Sequence, residues 1–416
     1  MTNIDGIYID KLVELHGSPF FVVSARTLRE NIKTFREAFS KKYPKVKVAY
    51  SYKTNYISGV LKIIHKEEIW AEVASGFEYD LARALEVQGE SVVFNGPYKK
   101  REELEKALKE GALINADHLD EIKLLEEIAS ELGRTVDIGI RINTDVGIHQ
   151  LPDRFGFNLE SGDAIQIVRR CVEKKLLRIA AIHIHLTSYI IEPESVENTT
   201  PAKRIKLIWP KSSDMYRMAA NKVARFAEEI REKFGLNMKY VDVGGGFPNV
   251  DFLTPYVEAV VEPIVKGFKG DLPILILEPG RAIVSNAIHL ITTVVGVKEF
   301  PNGERGVIVD AGVNILPTSF WRWQEIEHLT KPESSLKEET IVYGPLCLQT
   351  DIIGKAMLPE LGAGDKLVIK NVGAYNISQS STFIFPRPAI VLIEDEQVRV
   401  LRRVEAVDDV FLFGNF

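Results

Sequence analysis

Lys53 is the residue of this chain whose type and position best suit covalent chemistry. It ends an apolar run at residues 46–53, where a predicted strand opens into a loop. An amine with a largely apolar approach gives up its proton more readily, and an unprotonated amine condenses with an aldehyde to form an imine. Because most lysines at strand ends simply point into water, the interpretation of Lys53 as the carrier of a cofactor depends on the rest of the chain.

Strand-like runs alternate with helical segments from residue 46 to residue 281. Runs of apolar, β-forming residues occupy 46–53, 69–76, 92–97, 113–116, 136–143, 179–188, 240–246 and 274–281. Strands that are apolar throughout and alternate with helices indicate a parallel sheet covered on both faces. Eight such units in about 235 residues predict a closed (β/α)₈ TIM-like barrel, with an open doubly wound sheet as the alternative that periodicity leaves open.

The pattern of predicted strands and helices changes near residue 285. Short β runs then follow one another with few helical segments between them, which indicates a second, mainly antiparallel β domain. We expect the cofactor-binding barrel at 22–285 and a β-sandwich or β-barrel domain at 286–416, with 1–21 packed on the second domain. The stretch 190–214, with prolines and basic residues around Trp209, is either a lid over the strand ends or a solvated surface excursion.

In a barrel, functional side chains belong at the carboxyl ends of the strands. Gly244, Gly245 and Gly246 follow one strand, and Arg281 follows the next. Residues without a Cβ allow backbone N–H groups to approach a phosphate closely, and an arginine supplies a complementary cation. The two turns together predict a bound phosphate, although a glycine triplet alone is more often a tight turn.

Glu278, His183 and His185 occupy strands that are otherwise apolar. A carboxylate at the end of such a strand needs a partner, which is either a protonated ring nitrogen or Arg281. The two histidines share one face of their strand, but no third ligand stands at a recognisable spacing, so we expect no metal site. One imidazole stacked on a flat cofactor is the interpretation that fits better, and a satisfied core histidine is the alternative.

Cys347 lies in the segment 344–351, together with Leu348 and Asp351. A single cysteine among β runs is usually a small hydrophobic residue, and only the loop setting and the nearby Asp351 suggest more. With Cys171, the other cysteine, it makes neither a disulfide framework nor a zinc cluster.

Composition and charge argue against several kinds of partner. The 416 residues carry a formal net charge of −6 and are 45% hydrophobic and 26% charged, which gives no reason to expect nucleic acid or an anionic membrane as a partner. No apolar stretch approaches the length of a membrane span, and the first residues lack a signal-peptide pattern. We therefore expect a cytoplasmic protein.

Taken in order, these motifs resemble those of the fold-type III pyridoxal-phosphate decarboxylases, the group that contains diaminopimelate, ornithine and arginine decarboxylases. The resemblance covers nearly the whole chain, and diaminopimelate decarboxylase-like members are the most similar. The motifs that carry it are 52–55, 72–78, 183–188, 242–247, 278–281, 309–312, 344–347, 373–375 and 386–388.

The resemblance implies pyridoxal 5′-phosphate as the cofactor and a role for each site residue. Lys53 is expected to bind the cofactor covalently, and His185 to stack on its ring with Ser188 close by. Glu278 is expected to pair with the ring nitrogen and keep it protonated. The residues expected to hold the phosphate are Gly244, Gly245, Gly246, Gly280, Arg281 and Tyr375.

The resemblance also implies an obligate homodimer with shared active sites. Cys347 is expected to reach the site from the partner subunit, where it helps to protonate the carbon that carbon dioxide leaves. Residues expected to contact the substrate are Arg281, Leu348, Asp351 and Tyr375.

Three departures from the family pattern concern the substrate. Leu348 follows the cysteine, where the basic-substrate enzymes carry an acidic residue. An arginine expected soon after 309–312 is missing, although Arg322 is near, and Thr187 stands where glycine is usual. We therefore expect a small α-amino acid whose far end is not a bare ammonium, such as an acylated, carboxylate-rich or carrier-linked one. Asp351 is the alternative acidic contact.

Three other functions stay open at this point. The chain is alternatively a diaminopimelate or basic amino-acid decarboxylase proper, or an amino-acid racemase on the same barrel. A catalytically inactive relative that regulates an active partner is the third, although the joint presence of Lys53, Glu278, Arg281, Cys347 and Tyr375 argues against it.

Overall fold

The computed structural model of the chain describes residues 3–147, 154–186, 190–192, 206–208, 212–329 and 336–411. It begins with a small N-terminal group of elements. These are β1 (Asn3–Ile4), β2 (Ile7–Tyr8), α1 (Ile9–His16), β3 (Phe20–Ser24) and α2 (Ala25–Ser40).

Alternating strands and helices follow. They are β4 (Val46–Ser51), α3 (Ser58–Lys66), β5 (Trp70–Val73), α4 (Gly76–Ala84), β6 (Val92–Phe94), α5 (Arg101–Lys109), β7 (Leu113–Ala116), α6 (Leu119–Glu131), β8 (Val136–Asn143), β9 (Phe157–Asn158), α7 (Asp163–Lys174), β10 (Leu177–Ile184), β11 (Ile190–Glu192), β12 (Lys206–Ile208), α8 (Ser213–Phe234), β13 (Tyr240–Asp242), α9 (Thr254–Phe268), β14 (Ile274–Leu277) and α10 (Arg281–Val284).

The last group is rich in strands. Its elements are β15 (Ile288–Glu299), β16 (Arg305–Val309), β17 (Glu325–His328), β18 (Glu338–Tyr343), β19 (Ile352–Leu358), β20 (Lys366–Lys370), α11 (Asn376–Gln379), β21 (Ala389–Glu394), β22 (Gln397–Arg402) and α12 (Val407–Phe411).

Eight parallel strands close into a barrel. Their order is β10, β13, β14, β4, β5, β6, β7 and β8, and β8 pairs again with β10 to complete the ring. Each strand overlaps one of the predicted apolar runs, although β10 begins two residues before its run, and the closure of the ring confirms the barrel against the open sheet. Several strands end before the predicted run does, so that Lys53 and Glu278 lie just beyond β4 and β14 rather than within them.

The second sheet is mainly antiparallel, as predicted. Its order is β19, β18, β16, β15, β3, β21 and β22, and β20 pairs with β15 and β17. The N-terminal strand β3 lies inside this sheet, antiparallel to β15 and parallel to β21. We propose a domain division at residue 285, with the N-terminal segment assigned to the second domain. The pairing of β3 supports that assignment and extends the segment from residue 21 to Ser24.

Part of the stretch 190–214, which the sequence leaves open between a lid and a surface excursion, lies outside the described residues. Within it, β11 and β12 pair antiparallel. None of the described helices is both long and apolar enough to cross a bilayer.

An aromatic cluster packs the outer helices against the turn that follows β13. The ring of Phe247 lies edge-on to Phe35 and Phe39 of α2, with centroids 5.4 and 5.6 Å away, and it stacks on Tyr216 of α8 at 5.2 Å. Because Phe247 is fully buried and follows the glycine triplet directly, this packing fixes the position of the triplet.

Replacing Phe247 by alanine should lower the free energy of unfolding by about 3–5 kcal/mol, since it leaves a cavity where three rings met. Chemical denaturation followed by circular dichroism measures the loss. The matched control is Phe252→Ala, which removes a ring that is 66% exposed. Its effect should stay within about 0.5 kcal/mol. Equal effects of the two substitutions would contradict this view of the core.

Candidate active site

Lys53 lies in a short 3₁₀ turn, Tyr52–Thr54, directly after β4. Its Nζ donates a hydrogen bond of 2.6 Å to Oε2 of Glu72, which stands on β5 and is only 1% exposed, whereas the Lys53 side chain is 41% exposed. Burial would lower the pKa of Lys53, but the carboxylates of Glu72 and Glu278 outweigh it and raise the pKa above its ordinary value. The expected unprotonated amine is therefore wrong for this arrangement, in which Lys53 is an ammonium paired with Glu72.

Glu278 follows β14 and is buried, with 2% of its surface exposed. Its Oε1 accepts a hydrogen bond of 2.6 Å from Nδ2 of Asn95. Its Oε2 lies 3.7 Å from Nε2 of His183 and 3.9 Å from Nδ1 of His185. A carboxylate in this position is stabilised by a cation, because neutral donors only partly replace its hydration.

The two histidines of β10 and the loop after it are neutral. Burial lowers the pKa of His183 well below its ordinary range, and burial also lowers the pKa of His185 despite the opposing effect of Glu278. Nδ1 of His185 accepts a hydrogen bond of 3.1 Å from the backbone N–H of Gly245, which leaves the ring proton on Nε2.

Ligand-type atoms of His183, His185 and Glu278 all lie within 4.8 Å of one another. The sequence offered no third ligand at a recognisable spacing, whereas the fold brings Glu278 to the two histidines. Spacing along the chain did not show Glu278, because it comes from β14, two strands away from β10 in the barrel.

The turns after β13 and β14 leave no room for larger residues. A Cβ on Gly245 would lie 2.3 Å from the carbonyl oxygen of Glu278, and a Cβ on Gly280 would lie 2.0 Å from Oγ1 of Thr54. Gly244 has a φ of +66°, which favours glycine. The backbones of these turns therefore meet closely, and the N–H of Glu278 donates to the carbonyl of Gly244 at 2.8 Å.

Arg281 and Tyr375 complete this end of the barrel. Nη2 of Arg281 donates to the carbonyl oxygen of Gly246 at 3.3 Å, so the guanidinium lies against the glycine triplet. Tyr375 belongs to the second domain, between β20 and α11. Its backbone N–H donates a hydrogen bond of 2.9 Å to the carbonyl oxygen of Thr54. The structure thus brings the second domain to the turn that carries Lys53.

This arrangement fits pyridoxal phosphate. Two turns without side-chain bulk suit a phosphate, a buried carboxylate suits a protonated ring nitrogen, and a neutral imidazole suits a flat ring. The amine of Lys53 lies at the same end of the barrel, because it is hydrogen-bonded to Glu72 and interacts electrostatically with Glu278. When bound, this cofactor accepts electrons from the α-carbon of an amino acid.

The segment 344–351 has a different setting. Cys347 is exposed and Leu348 is 40% exposed. Within the part of the chain that the structure describes, no hydrogen bond, ion pair or ring contact joins either residue to the group around Lys53. Within a single chain, therefore, none of these contacts links Cys347 to the predicted site residues around Lys53 in the described part of the structure.

Asp351 is buried and holds this segment in shape. Its Oδ1 accepts a hydrogen bond of 2.8 Å from the N–H of Val313, and its Oδ2 accepts one of 2.7 Å from the N–H of Leu346. The expectation that Asp351 contacts the substrate is therefore not supported, because both oxygens are engaged inside the second domain. Ser188, the remaining predicted residue, lies outside the described residues.

Sequence reasoning gave no role to four polar residues inside the barrel, of which Glu72 is the partner of Lys53. The other three are Asn95 after β6, Asn115 on β7 and Asp242 on β13. Burial and the neighbouring Glu278 raise the pKa of Asp242 well above its ordinary value. The available signal was a single polar residue within or at the end of each apolar strand, the same signal that singled out Glu278.

Comparison with known proteins gives consistent matches. Residues 27–205 and 211–285 match the family model described as "Pyridoxal-dependent decarboxylase, pyridoxal binding domain". The diaminopimelate decarboxylase of Archaeoglobus fulgidus is 30% identical over 98% of this chain and 95% of its own length, and that of Bacillus subtilis is 27% identical over 98% and 93%.

A solved structure, diaminopimelate decarboxylase from M. jannaschii in co-complex with L-lysine, is similar with a TM-score of 0.86. It is 28% identical and covers 98% of this chain and 94% of its own. These matches confirm the resemblance to fold-type III decarboxylases, pyridoxal phosphate as the cofactor and the carboxy-lyase class. The chain belongs to the pyridoxal-dependent decarboxylase family.

Proposed function

We propose that this chain decarboxylates a small α-amino acid by diaminopimelate decarboxylase-like chemistry, and that the far end of its substrate is not a bare ammonium. The observation that carries the proposal is Leu348, an exposed isobutyl group directly after Cys347. An ammonium placed against it forfeits a charge-assisted hydrogen bond of about 1.5–3 kcal/mol. An acylated, carboxylate-rich or carrier-linked amino acid avoids that loss.

The neighbouring polar groups support this substrate class. Asp351 is engaged with two backbone N–H groups, so it is a poor replacement for the acidic residue. Nη2 of Arg322 donates to the carbonyl oxygen of Asn371 at 2.9 Å, which holds this arginine within the second domain. One observation favours diaminopimelate itself as the alternative substrate, namely that the full-length relatives are diaminopimelate decarboxylases.

Each residue around Lys53 has a proposed task. Lys53 binds the cofactor covalently, and Glu278 keeps the ring nitrogen protonated because a buried carboxylate is most stable beside a cation. His185 packs on the ring as a neutral imidazole, with Ser188 near it. The phosphate is held by Gly244, Gly245, Gly246, Gly280, Arg281 and Tyr375, and the last two also face the substrate.

A second copy of the chain is proposed to complete the site. Cys347 is exposed, and so are aromatic residues that follow the barrel strands, such as Phe77 after β5 and Tyr98 after β6. Exposed aromatic residues near a functional opening are typical of a protein interface. We propose a homodimer in which Cys347 of each chain delivers a proton at the other chain's site. Its compartment is proposed to be the cytoplasm, where Cys171 and Cys347 stay reduced.

Lys53→Ala should abolish covalent attachment of pyridoxal phosphate, because the turn Tyr52–Thr54 then carries no side-chain amine. Borohydride treatment followed by peptide mass spectrometry measures the attachment. The control is Lys47→Ala, which removes an exposed lysine near the start of the same strand and should leave the labelled peptide unchanged. Labelling of Lys53→Ala at wild-type yield would exclude Lys53 as the attachment residue.

Leu348→Asp should raise kcat/KM for lysine or ornithine by about tenfold or more, because it restores a charge-assisted hydrogen bond to the distal ammonium. Carbon dioxide release from diaminopimelate, lysine, ornithine, arginine and their acyl derivatives measures this. Leu336→Asp is the control, since Leu336 is 83% exposed outside this segment. Efficient turnover of diaminopimelate or of a basic amino acid by the wild-type protein would remove the proposed substrate class.

Mixing two inactive variants tests the shared site. Lys53→Ala and Cys347→Ala should each lose most activity alone. After dissociation and random reassociation they should recover about a quarter of wild-type activity, because mixed dimers contain one complete site. Recovery should require exchange of subunits, and cross-linking the two homodimers beforehand is the control. No recovery despite exchange, shown by mass spectrometry, would mean that each chain builds its site alone.

A further inference from the structure

Asn95 connects the two buried carboxylates of the site. It follows β6 directly and is itself buried. Its Nδ2 donates a hydrogen bond of 3.1 Å to Oε1 of Glu72 and one of 2.6 Å to Oε1 of Glu278. Both hydrogens of one amide group are thus used by carboxylates that come from two different strands.

The position of Asn95 matters because the two carboxylates are close. Their bonded oxygens lie within about 6 Å of each other, since both are hydrogen-bonded to one nitrogen. Two negative charges at such a separation repel strongly where water is excluded. A donated hydrogen bond stabilises the ionised form of a carboxyl group, so one amide stabilises both charges at once.

A second amide fixes the orientation of the first. Nδ2 of Asn115 donates to Oδ1 of Asn95 at 2.9 Å and to Oδ2 of Asp242 at 3.3 Å. The oxygen of Asn95 is thereby turned towards β7 and its NH₂ group towards the carboxylates. β8 leaves the space for this ladder, because a Cβ on Gly139 would lie 1.9 Å from Oδ1 of Asn115.

We propose that Asn95 is a positioning residue that keeps Glu72 and Glu278 ionised together, so that one carboxylate serves Lys53 while the other serves the ring nitrogen of the cofactor. The inference rests on the roles proposed for Lys53 and Glu278. Asn95 acts through these two residues, and its contribution lies in the shared amide rather than in contact with the cofactor.

Titratable and charged groups from several elements face Asn95 or its partners. They are Lys53, Glu72, Glu78, Lys99, Arg141, His183, His185, Asp242, Glu278 and Tyr375. Glu72 also accepts a hydrogen bond from Ser51, and Asp242 shares one with Glu278, so what distinguishes Asn95 is that it donates to both carboxylates.

Asn95→Asp tests the proposal, because it keeps the shape and makes the donor titratable. At low pH the protonated carboxyl group of this variant still donates one hydrogen bond to a carboxylate, but above its pKa it adds a third negative charge. Burial beside two carboxylates raises the pKa of such a group, so the change should fall between about pH 5 and pH 9. We expect the ratio of the variant's to the wild-type's dissociation constant for pyridoxal phosphate to rise about tenfold or more across this range.

Asn31→Asp is the matched control. Asn31 is also buried, and its Nδ2 also gives both hydrogens away, at 2.8 Å to the carbonyl of Ile283 and at 2.7 Å to Oδ1 of Asn286. The acceptors of Asn31 are neutral and lie outside the carboxylate pair. The ratio of the Asn31→Asp variant's to the wild-type's dissociation constant for pyridoxal phosphate should therefore change less than about twofold with pH. Titration of the full-length protein with the cofactor, followed by absorbance, measures all three constants.

The outcomes separate this inference from the proposed function. A pH-independent ratio for Asn95→Asp, with normal wild-type binding through Lys53, would overturn the inference alone. A wild-type protein that does not bind the cofactor through Lys53 would overturn both. If Asn95→Asp does not fold, Asn95→Ser replaces it, because a hydroxyl donates to one carboxylate only. Wild-type affinity of Asn95→Ser at every pH would then overturn the inference.

Discussion

The site depends on the burial of two carboxylates, Glu72 and Glu278, at the same end of the barrel. A buried carboxylate costs several kcal/mol unless a positive group or several donors stabilise it. Lys53 meets this requirement for Glu72 at 2.6 Å. The direct neighbours of Glu278 that the structure describes include an amide, two histidines whose pKa values are lowered, and Asp242, whose pKa is raised by burial and by Glu278. The site is therefore arranged for a ligand that brings its own positive charge to Glu278.

The same constraint explains why Lys53 is protonated where the sequence led us to expect a neutral amine. An apolar approach would favour the neutral form, but Glu72 is close enough to reverse that preference. Before it reacts with an aldehyde the amine has to lose a proton and leave its ion pair. The buried Glu78 interacts electrostatically with this pair, and burial raises its pKa to about 7.

The barrel could be predicted because each of its strands is apolar throughout and is followed by a helical segment. The glycine turns after β13 and β14 were equally visible, because only glycine fits where their backbones meet. Contacts between strands that are far apart in sequence were not visible. Glu72, Asn95 and the cluster of Glu278 with two histidines depend on barrel closure, which brings together residues that no spacing rule connects.

The second domain shows the same limit. Its short β runs were predictable from alternation and turn residues. The insertion of β3 between β15 and β21 was not, since it pairs an N-terminal strand with strands more than 260 residues later in the chain. Asp351 had the right charge and position in the sequence for a substrate contact. Its burial against Val313 and Leu346 follows from a fold of the segment that the residue types alone do not specify.

A crystal structure of the protein grown with pyridoxal phosphate tests most directly whether these two carboxylates define the site. We predict that Nζ of Lys53 is bonded to the cofactor, that the ring nitrogen lies within hydrogen-bonding distance of Glu278, and that the phosphate rests on Gly244, Gly245 and Gly246. A cofactor bound elsewhere, with Lys53 still paired to Glu72 and Glu278 facing only neutral groups, would contradict this interpretation.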